Sequence, residues 1–342
     1  MSAPAPVVAE PAPRISGPAP AHRDPRHEQL QRRTLVFSLT ALLLCMMWVA
    51  AFEAQGWHSH DPATLELLAR ARTSVATFDR AHAPGLVAVG LAAGLLAGML
   101  GMGGGVIKVA GMLILLQLDI LLARAVSLTT MFVATSSASW VHIRSGAVQW
   151  HLVRPMLAPA IIATLLGLSL GNVMSKNSLT HFFAFFAMFM GFNTLAQCVA
   201  DPNEAVLQGE QDPSGTRARP LHAGGIGALH GLACGLLGIS GGVIALPLQQ
   251  VLLRAPARQA VANTVVVSAI ITGLGCLAAL AMGTQRGDFR STEVLFASLC
   301  IGLGAAVGGQ LGARLTGRVH LIFLKLMFVQ IGFIAGLTIL FK

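Results

Sequence analysis

Tyrosine is absent from this sequence and charge is scarce, with only 11% of its 342 residues being Asp, Glu, Lys or Arg. A soluble domain usually carries about 25% charged residues. The deficit is spread along the chain rather than confined to one stretch, which excludes an ordinary water-soluble enzyme. Acidic residues are the scarcer sign, 14 against 23 Lys and Arg, and the predicted spans lack any buried Asp or Glu, so a coupling proton would have to be taken by a histidine or by the substrate. The five cysteines (Cys45, Cys198, Cys234, Cys276, Cys300) all sit in apolar segments, with no CxxC and no metal-ligand spacing. They read as small hydrophobes. No HExxH, Walker or haem motif occurs, so neither primary pumping nor redox work is supported, and no cofactor, metal or catalytic residue is expected. The four tryptophans are too few for an aromatic belt.

What the chain has is apolar length. It is 54% hydrophobic, its mean hydropathy is +0.70, and several runs exceed the roughly 17–20 apolar residues that cross a bilayer. The expected class is an all-α polytopic protein of the plasma (inner) membrane, in contact with lipid. The formal charge of +9 would suggest nucleic acid in a soluble chain. Here it fits Lys and Arg retained in cytoplasmic loops, and no nucleic-acid partner is expected.

One stretch occurs twice, GLLAGMLGMGGGVI from Gly94 and GLACGLLGISGGVI from Gly231. At constant offset Gly94, Gly98, Gly101, Gly104 and Gly105 match Gly231, Gly235, Gly238, Gly241 and Gly242, with Val106-Ile107 matching Val243-Ile244. Each copy is an apolar segment, a glycine cluster and a shorter apolar segment. With no strand pattern before it, neither cluster suits a phosphate loop. The pattern predicts a helix hairpin broken at membrane depth, once in each half of a duplicated protein.

In chain order, residues 1–33 read as a disordered, basic cytoplasmic tail. Residues 34–83 hold an extra N-terminal transmembrane helix (Leu35 to Phe52) and an outer loop with a short helix between Pro62 and Arg80. The first repeat, 84–200, has its hairpin at 84–100 and 105–118, then spans at 124–143, 152–175 and 179–199. A polar linker, 201–220, separates the halves. The second repeat, 221–342, has its hairpin at 221–238 and 242–254, then spans at 258–283, 293–313 and 319–341. A hairpin returns the chain to its starting side, so each repeat makes three net crossings and the second enters inverted. With the N-terminus inside, Arg144, Arg154, Arg217, Arg219, Arg254, Arg258, Arg314 and Arg318 are cytoplasmic. Arg124, Lys176, Arg286 and Arg290 fall in short outer connections, a modest bias in favour of this orientation, against which count three more arginines in the outer 53–83 loop.

Several residues carry a strong resemblance. The glycine-rich hairpin, the stretch that follows it (Ala125, Val126, Thr129, Thr130; Ala260, Val261, Asn263, Thr264) and Arg144, Gly146, Val148 and Trp150 resemble the sulfite exporter TauE/SafE family of permeases, over about residues 84–341. The resemblance implies transport of a small sulfur-containing anion such as sulfite, thiosulfate or an organosulfonate, with no direction implied. Two departures stand out. The family's proline after the glycines is Pro247 in the second copy and Ala110 in the first, and the first copy carries Lys108 where the second has Ala245.

Physical chemistry supports an anion path at the same residues. A helix that starts just after the glycines presents N–H groups without intrahelical acceptors, at the positive end of its dipole. The candidate substrate contacts are therefore Gly103, Gly104, Gly105, Ser240, Gly241 and Gly242. Lys108, placed in an apolar run, costs roughly 2.5–3.5 kcal/mol to insert and should face a partner or a cavity; the competing reading is snorkelling to an interface. Thr129, Thr130, Asn263 and Thr264 would supply neutral hydrogen bonds, unless the threonines only back-bond to their own helix. His230, ten residues before Ser240 in the first arm of the second hairpin, is the candidate for proton coupling, against a helix–helix hydrogen bond. Gly94, Gly98, Gly231 and Gly235 fit close helix packing better than ligand contact. Two rival functions keep the same sequence features: a passive anion channel, or an intramembrane serine protease read from Gly238-Ile239-Ser240-Gly241, which would need a histidine base on another helix such as His222 or His320.

Overall fold

A computed structural model describes residues 82–100, 104–200, 220–315 and 321–341. The N-terminal tail, the first predicted span, the outer helix, Gly101 to Gly103 and most of the linker lie outside the described residues. Within them the chain is entirely helical, as ten helices with no strand. They are α1 (Ala83–Leu100), α2 (Gly105–Ile114), α3 (Ile120–Arg144), α4 (Trp150–Val173) and α5 (Lys176–Ala200), followed by α6 (Pro220–Leu237), α7 (Gly242–Leu252), α8 (Ala257–Arg286), α9 (Ser291–Leu315) and α10 (Leu321–Leu340). Five of these (α3, α4, α5, α8 and α9) are long and apolar enough to cross a membrane. The chain is a multi-pass helical membrane protein.

The helix ends follow from local chemistry. Asp119 caps α3, its carboxylate accepting from the Leu121 N–H at 2.8 Å. At α9 the Glu293 carboxylate reaches back to the Arg290 N–H at 3.1 Å, the reciprocal half of a capping box. α8 stops at Gly287, whose φ of 73° is the left-handed conformation that ends helices. α4 and α7 carry internal prolines, Pro155 and Pro159 in the first and Pro247 in the second. Each removes a backbone donor, a loss tolerated in membrane helices that are packed against neighbours.

The predicted boundaries shift furthest at two places. α2 ends at Ile114 instead of continuing to 118, because the chain turns at Gln117 with φ 50°. Arg124, expected in an outer loop, lies inside α3 and is 3% exposed. The capping aspartate at 119 starts the helix a turn earlier than apolarity alone indicates.

Packing pairs helices across the two halves of the chain. α1 lies along α9, α6 along α4, α3 along α8 and α5 along α10. The first two seams are nearly bare backbone. A methyl group on Gly90 or Gly94 would strike the backbone of Ile301 or Ala305, and one on Gly304, Gly308 or Gly312 would strike that of Val87, Leu91 or Leu95. In the second seam Gly227, Gly231 and Gly235 press on the carbonyls of Met156, Ala160 and Thr164. Lipid tails are as apolar as leucine, so association rests on van der Waals contact, and small residues maximise it. The structure thus gives Gly94, Gly231 and Gly235 the packing role expected for them; Gly98 lies in α1 without described surroundings.

Candidate functional site

The two glycine breaks meet. A methyl group on Gly105, the first residue of α2, would lie 3.1 Å from the Ser240 nitrogen and 3.2 Å from Ile239 Cα, in the turn that joins α6 to α7. The adjoining glycines serve their own hairpins in matched ways. Gly104 presses on Ala93 of α1 and Gly241 on His230 of α6, and Ala93 and His230 stand at the same offset as the glycines. Gly238 makes the turn itself with φ 67°, its Cα face against Arg124. Glycine is needed here both for the positive φ and for these backbone approaches.

The helix starts on either side of this crossing differ chemically. In α2 the first intrahelical bond runs from the Lys108 N–H to the Gly104 carbonyl at 3.0 Å. The three amides before it have no acceptor in their own helix. In α7 the N-cap is Gly241, and the Ser240 hydroxyl before it accepts from the Gly242 N–H at 3.3 Å. Gly242 also lies close to Thr264, whose Cγ2 would be 3.1 Å from an added methyl.

Lys108 is 6% exposed, and its ammonium donates to Thr130 Oγ1 at 2.9 Å. Thr130 in turn donates to the Ser127 carbonyl at 2.9 Å, so its lone pairs are free to receive the lysine. No carboxylate lies within ion-pair distance of Lys108 among the described residues, where the salt bridge is that of Lys176 with Asp119. The side chain stays buried instead of snorkelling outward. Thr129 is directed elsewhere: it back-bonds to the Ala125 carbonyl at 2.8 Å and touches Cys276 Sγ at 3.1 Å. The structure therefore joins Thr130, and not Thr129, to the lysine.

In the second half the polar groups form a network. Gln249 of α7, fully buried, donates to Thr264 Oγ1 at 2.7 Å and accepts from Asn263 Nδ2 at 3.2 Å. The Asn263 side-chain oxygen accepts from the Gln149 N–H at 2.8 Å, and its amide nitrogen also lies 3.3 Å from Gln149 Oε1, just before α4. Sequence reasoning missed Gln249 and Gln149 as members of this cluster. The signal available was a polar side chain one turn beyond Ala245, the position that matches Lys108. Replacing Gln249 by leucine would take from the buried Thr264 hydroxyl its donor and from the Asn263 amide one of its two acceptors. The expected cost is about 1–3 kcal/mol, read as a lower midpoint of thermal unfolding in detergent.

His230 is fully buried, with Nε2 2.9 Å from Ser268 Oγ and Nδ1 without a hydrogen-bond partner. The histidine thus joins α6 to α8 beside the second glycine cluster. Ser240, the serine of the GxSG string, is engaged with the Gly242 amide, and no histidine is bonded to it among the described residues. Arg124, the other buried Lys or Arg among the described residues, donates to the Asn172 side-chain oxygen and, at 3.5 Å, to the Leu236 carbonyl at the end of α6. A cation at that helix end meets the negative pole of the dipole. Gly103 lies outside the described residues.

Two broken helix hairpins thus meet inside a multi-pass helical bundle, and one of them carries a buried lysine with no carboxylate partner among the described residues. The family profile described as sulfite exporter TauE/SafE matches residues 86–339. This chain belongs to that family. It is 32% identical to a probable membrane transporter protein, MamO, of Paramagnetospirillum magneticum over 68% of this chain and 40% of that one. It is 30% identical to the protein of the same description in Magnetospirillum gryphiswaldense, with the same shares covered. The chain thus spans less than half the length of these two relatives. The probable membrane transporter protein YunE of Bacillus subtilis is 21% identical over 72% of this chain and 94% of its own length. No solved structure matches the chain.

Proposed function

We propose that the protein is a secondary transporter that carries a small sulfur-containing anion, such as sulfite, thiosulfate or an organosulfonate, across the plasma membrane. The observation that carries this reading is Lys108, buried with no carboxylate beside it among the described residues, one turn inside the helix whose glycine start abuts the second glycine break. A cation in such a place needs an anionic partner, and a passing substrate supplies one.

Substrate is held by the backbone at Gly104 and Gly105 where α2 starts, by Lys108 and Thr130, and from the other half by Ser240, Gly241, Gly242, Asn263 and Thr264. The pairing of the first helix of each half with the fourth of the other fits a two-fold repeat, and three net crossings per repeat would make that repeat an inverted one. Alternating access then follows from movement of one half against the other around the hairpin crossing. A path built on one lysine, without a ring of like charges, fits a carrier better than a channel. His230 is the group placed to take a coupling proton.

The test is flux into liposomes holding the purified full chain, with labelled sulfite, sulfonate and thiosulfate supplied with and without a pH gradient. Saturable uptake above that of empty vesicles is the expected result, and its acceleration by the gradient would establish proton coupling. Uptake of none of these anions would refute the assignment.

A further inference from the structure

Resting on the anion reading above, we infer that Arg124 is a positioning residue for transport. It offsets the negative end of α6 at the second glycine break, so that the break offers an anion its N–H groups without the repulsion of the carbonyls beside them.

The break brings two opposite poles together. α6 ends at Leu237, where the negative pole of its dipole lies, and the positive pole of α7 starts at Gly242. An anion at the start of α7 is attracted by one pole and repelled by the other, a few residues away. In the turn the Gly238 N–H closes on the Cys234 carbonyl at 2.9 Å, and the next hydrogen bond is that of the Gly242 N–H to Ser240. Between them the N–H groups of Ile239, Ser240 and Gly241 make none among the described residues. The turn is therefore rich in donors, and what opposes an anion there is the end of α6.

Two glycines make room for a cation at that end. The stem of Arg124 lies over Gly238, where an added methyl would be 2.6 Å from Arg124 Cγ and 2.8 Å from its Cα. The head lies over Gly171 of α4, where a methyl would strike Nη1 and stand 3.3 Å from the Leu236 carbonyl oxygen. The guanidinium thus fills a slot between the ends of α4 and α6. The Asn172 side-chain oxygen holds it there, and the Leu236 carbonyl is 3.5 Å from Nη1, at the outer edge of hydrogen bonding. What the cation gives this carbonyl is charge more than a strong bond. No carboxylate pairs with Arg124 among the described residues, and its buried Nε has no hydrogen-bond partner. Asp119 and Asp288 act on it from beyond ion-pair distance, against Arg286. Its charge is left to act on the helix end.

The test is binding of labelled sulfite, thiosulfate and propane-1-sulfonate to the full-length protein in lipid nanodiscs, measured by equilibrium dialysis and expressed per folded protein. Arg124→Gln should bind at least ~10-fold more weakly. Arg124→Lys, which restores the charge, should return to within ~3-fold of the unmodified protein. Asn172→Ala frees the guanidinium from the end of α6 and should weaken binding as well. A side chain that only packs would lower the folded yield of both Arg124 variants and leave the affinity of the folded protein unchanged, which overturns the inference. Arg124→Lys as weak as Arg124→Gln also overturns it. Unchanged or tighter binding by Asn172→Ala would make Arg124 a direct ligand and sink the positioning role, and this variant decides the matter if Arg124→Gln does not fold. All three of these failures leave the anion reading intact, whereas binding of none of the anions by the unmodified protein overturns both.

Discussion

Lys108→Ala is expected to lower anion flux by ~100-fold or more while leaving the protein as stable as the wild type, or more so. The two halves of that outcome have one cause. At about 4 Å, opposite unit charges attract by about 4 kcal/mol at an effective dielectric of 20, and each 1.4 kcal/mol is a factor of ten in binding. Losing the ammonium therefore removes most of the attraction for a small anion. The same ammonium is a burden on the empty protein, because it is 6% exposed and its hydrogen bond goes to a neutral hydroxyl. Insertion of a lysine at a helix centre costs roughly 2.5–3.5 kcal/mol, and an alanine does not incur it. A structural lysine would behave in the opposite way, with stability and flux falling together. Flux in liposomes and the thermal unfolding midpoint in detergent, measured on the same preparation, separate the two. Lys108→Arg keeps the charge but enlarges the head group beside Thr130, so partial flux is expected from it.

The fold was legible in the sequence wherever a local pattern encodes it. The apolar runs located the helices, and the repeated glycine string located both breaks. The spacing of Gly94, Gly231 and Gly235 pointed to close helix packing, and each of these glycines now faces a backbone carbonyl of a partner helix. What stayed hidden is what depends on contacts far apart in the chain. Nothing local states that α1 lies along α9 and α6 along α4. Arg124 was misjudged because apolarity marks where a span is greasy and not where its helix begins; the Asp119 cap starts α3 earlier and carries the arginine inside. At the site, Lys108 was legible because a charge stands out in an apolar run. Gln249 was not, since offset matching pairs Lys108 with Ala245, whereas the second half places its polar side chain one turn later. The two halves share a backbone plan and differ in which turn of the short helix carries the polar group.

The second large effect belongs to the seams. Gly231→Leu is expected to prevent stable folding, and even Gly231→Ala should cost about 3 kcal/mol, at the upper end of what overpacking a close-fitting interior does. The reason is which atoms stand opposite. The Cβ built on Gly231 falls onto the Ala160 carbonyl oxygen, carbonyl carbon and Cα, all of them backbone. A side chain in the way can change rotamer, but a helix backbone can only be displaced whole. Displacing α4 by one residue's bulk also separates Gly227 and Gly235 from Met156 and Thr164, so contacts along the whole seam are lost together. Membrane helices have no hydrophobic driving force to restore them. Gly225 supplies the internal control. It lies in the same helix with nothing within 4 Å of an added methyl, and Gly225→Ala should be neutral or slightly stabilising, since alanine is the better helix former. Folded yield and the unfolding midpoint of the two alanine variants form the comparison. A wild-type midpoint for Gly231→Ala would mean that α4 and α6 are not pressed together, and the cross-half pairing that carries the inverted-repeat reading would lose one of its two seams.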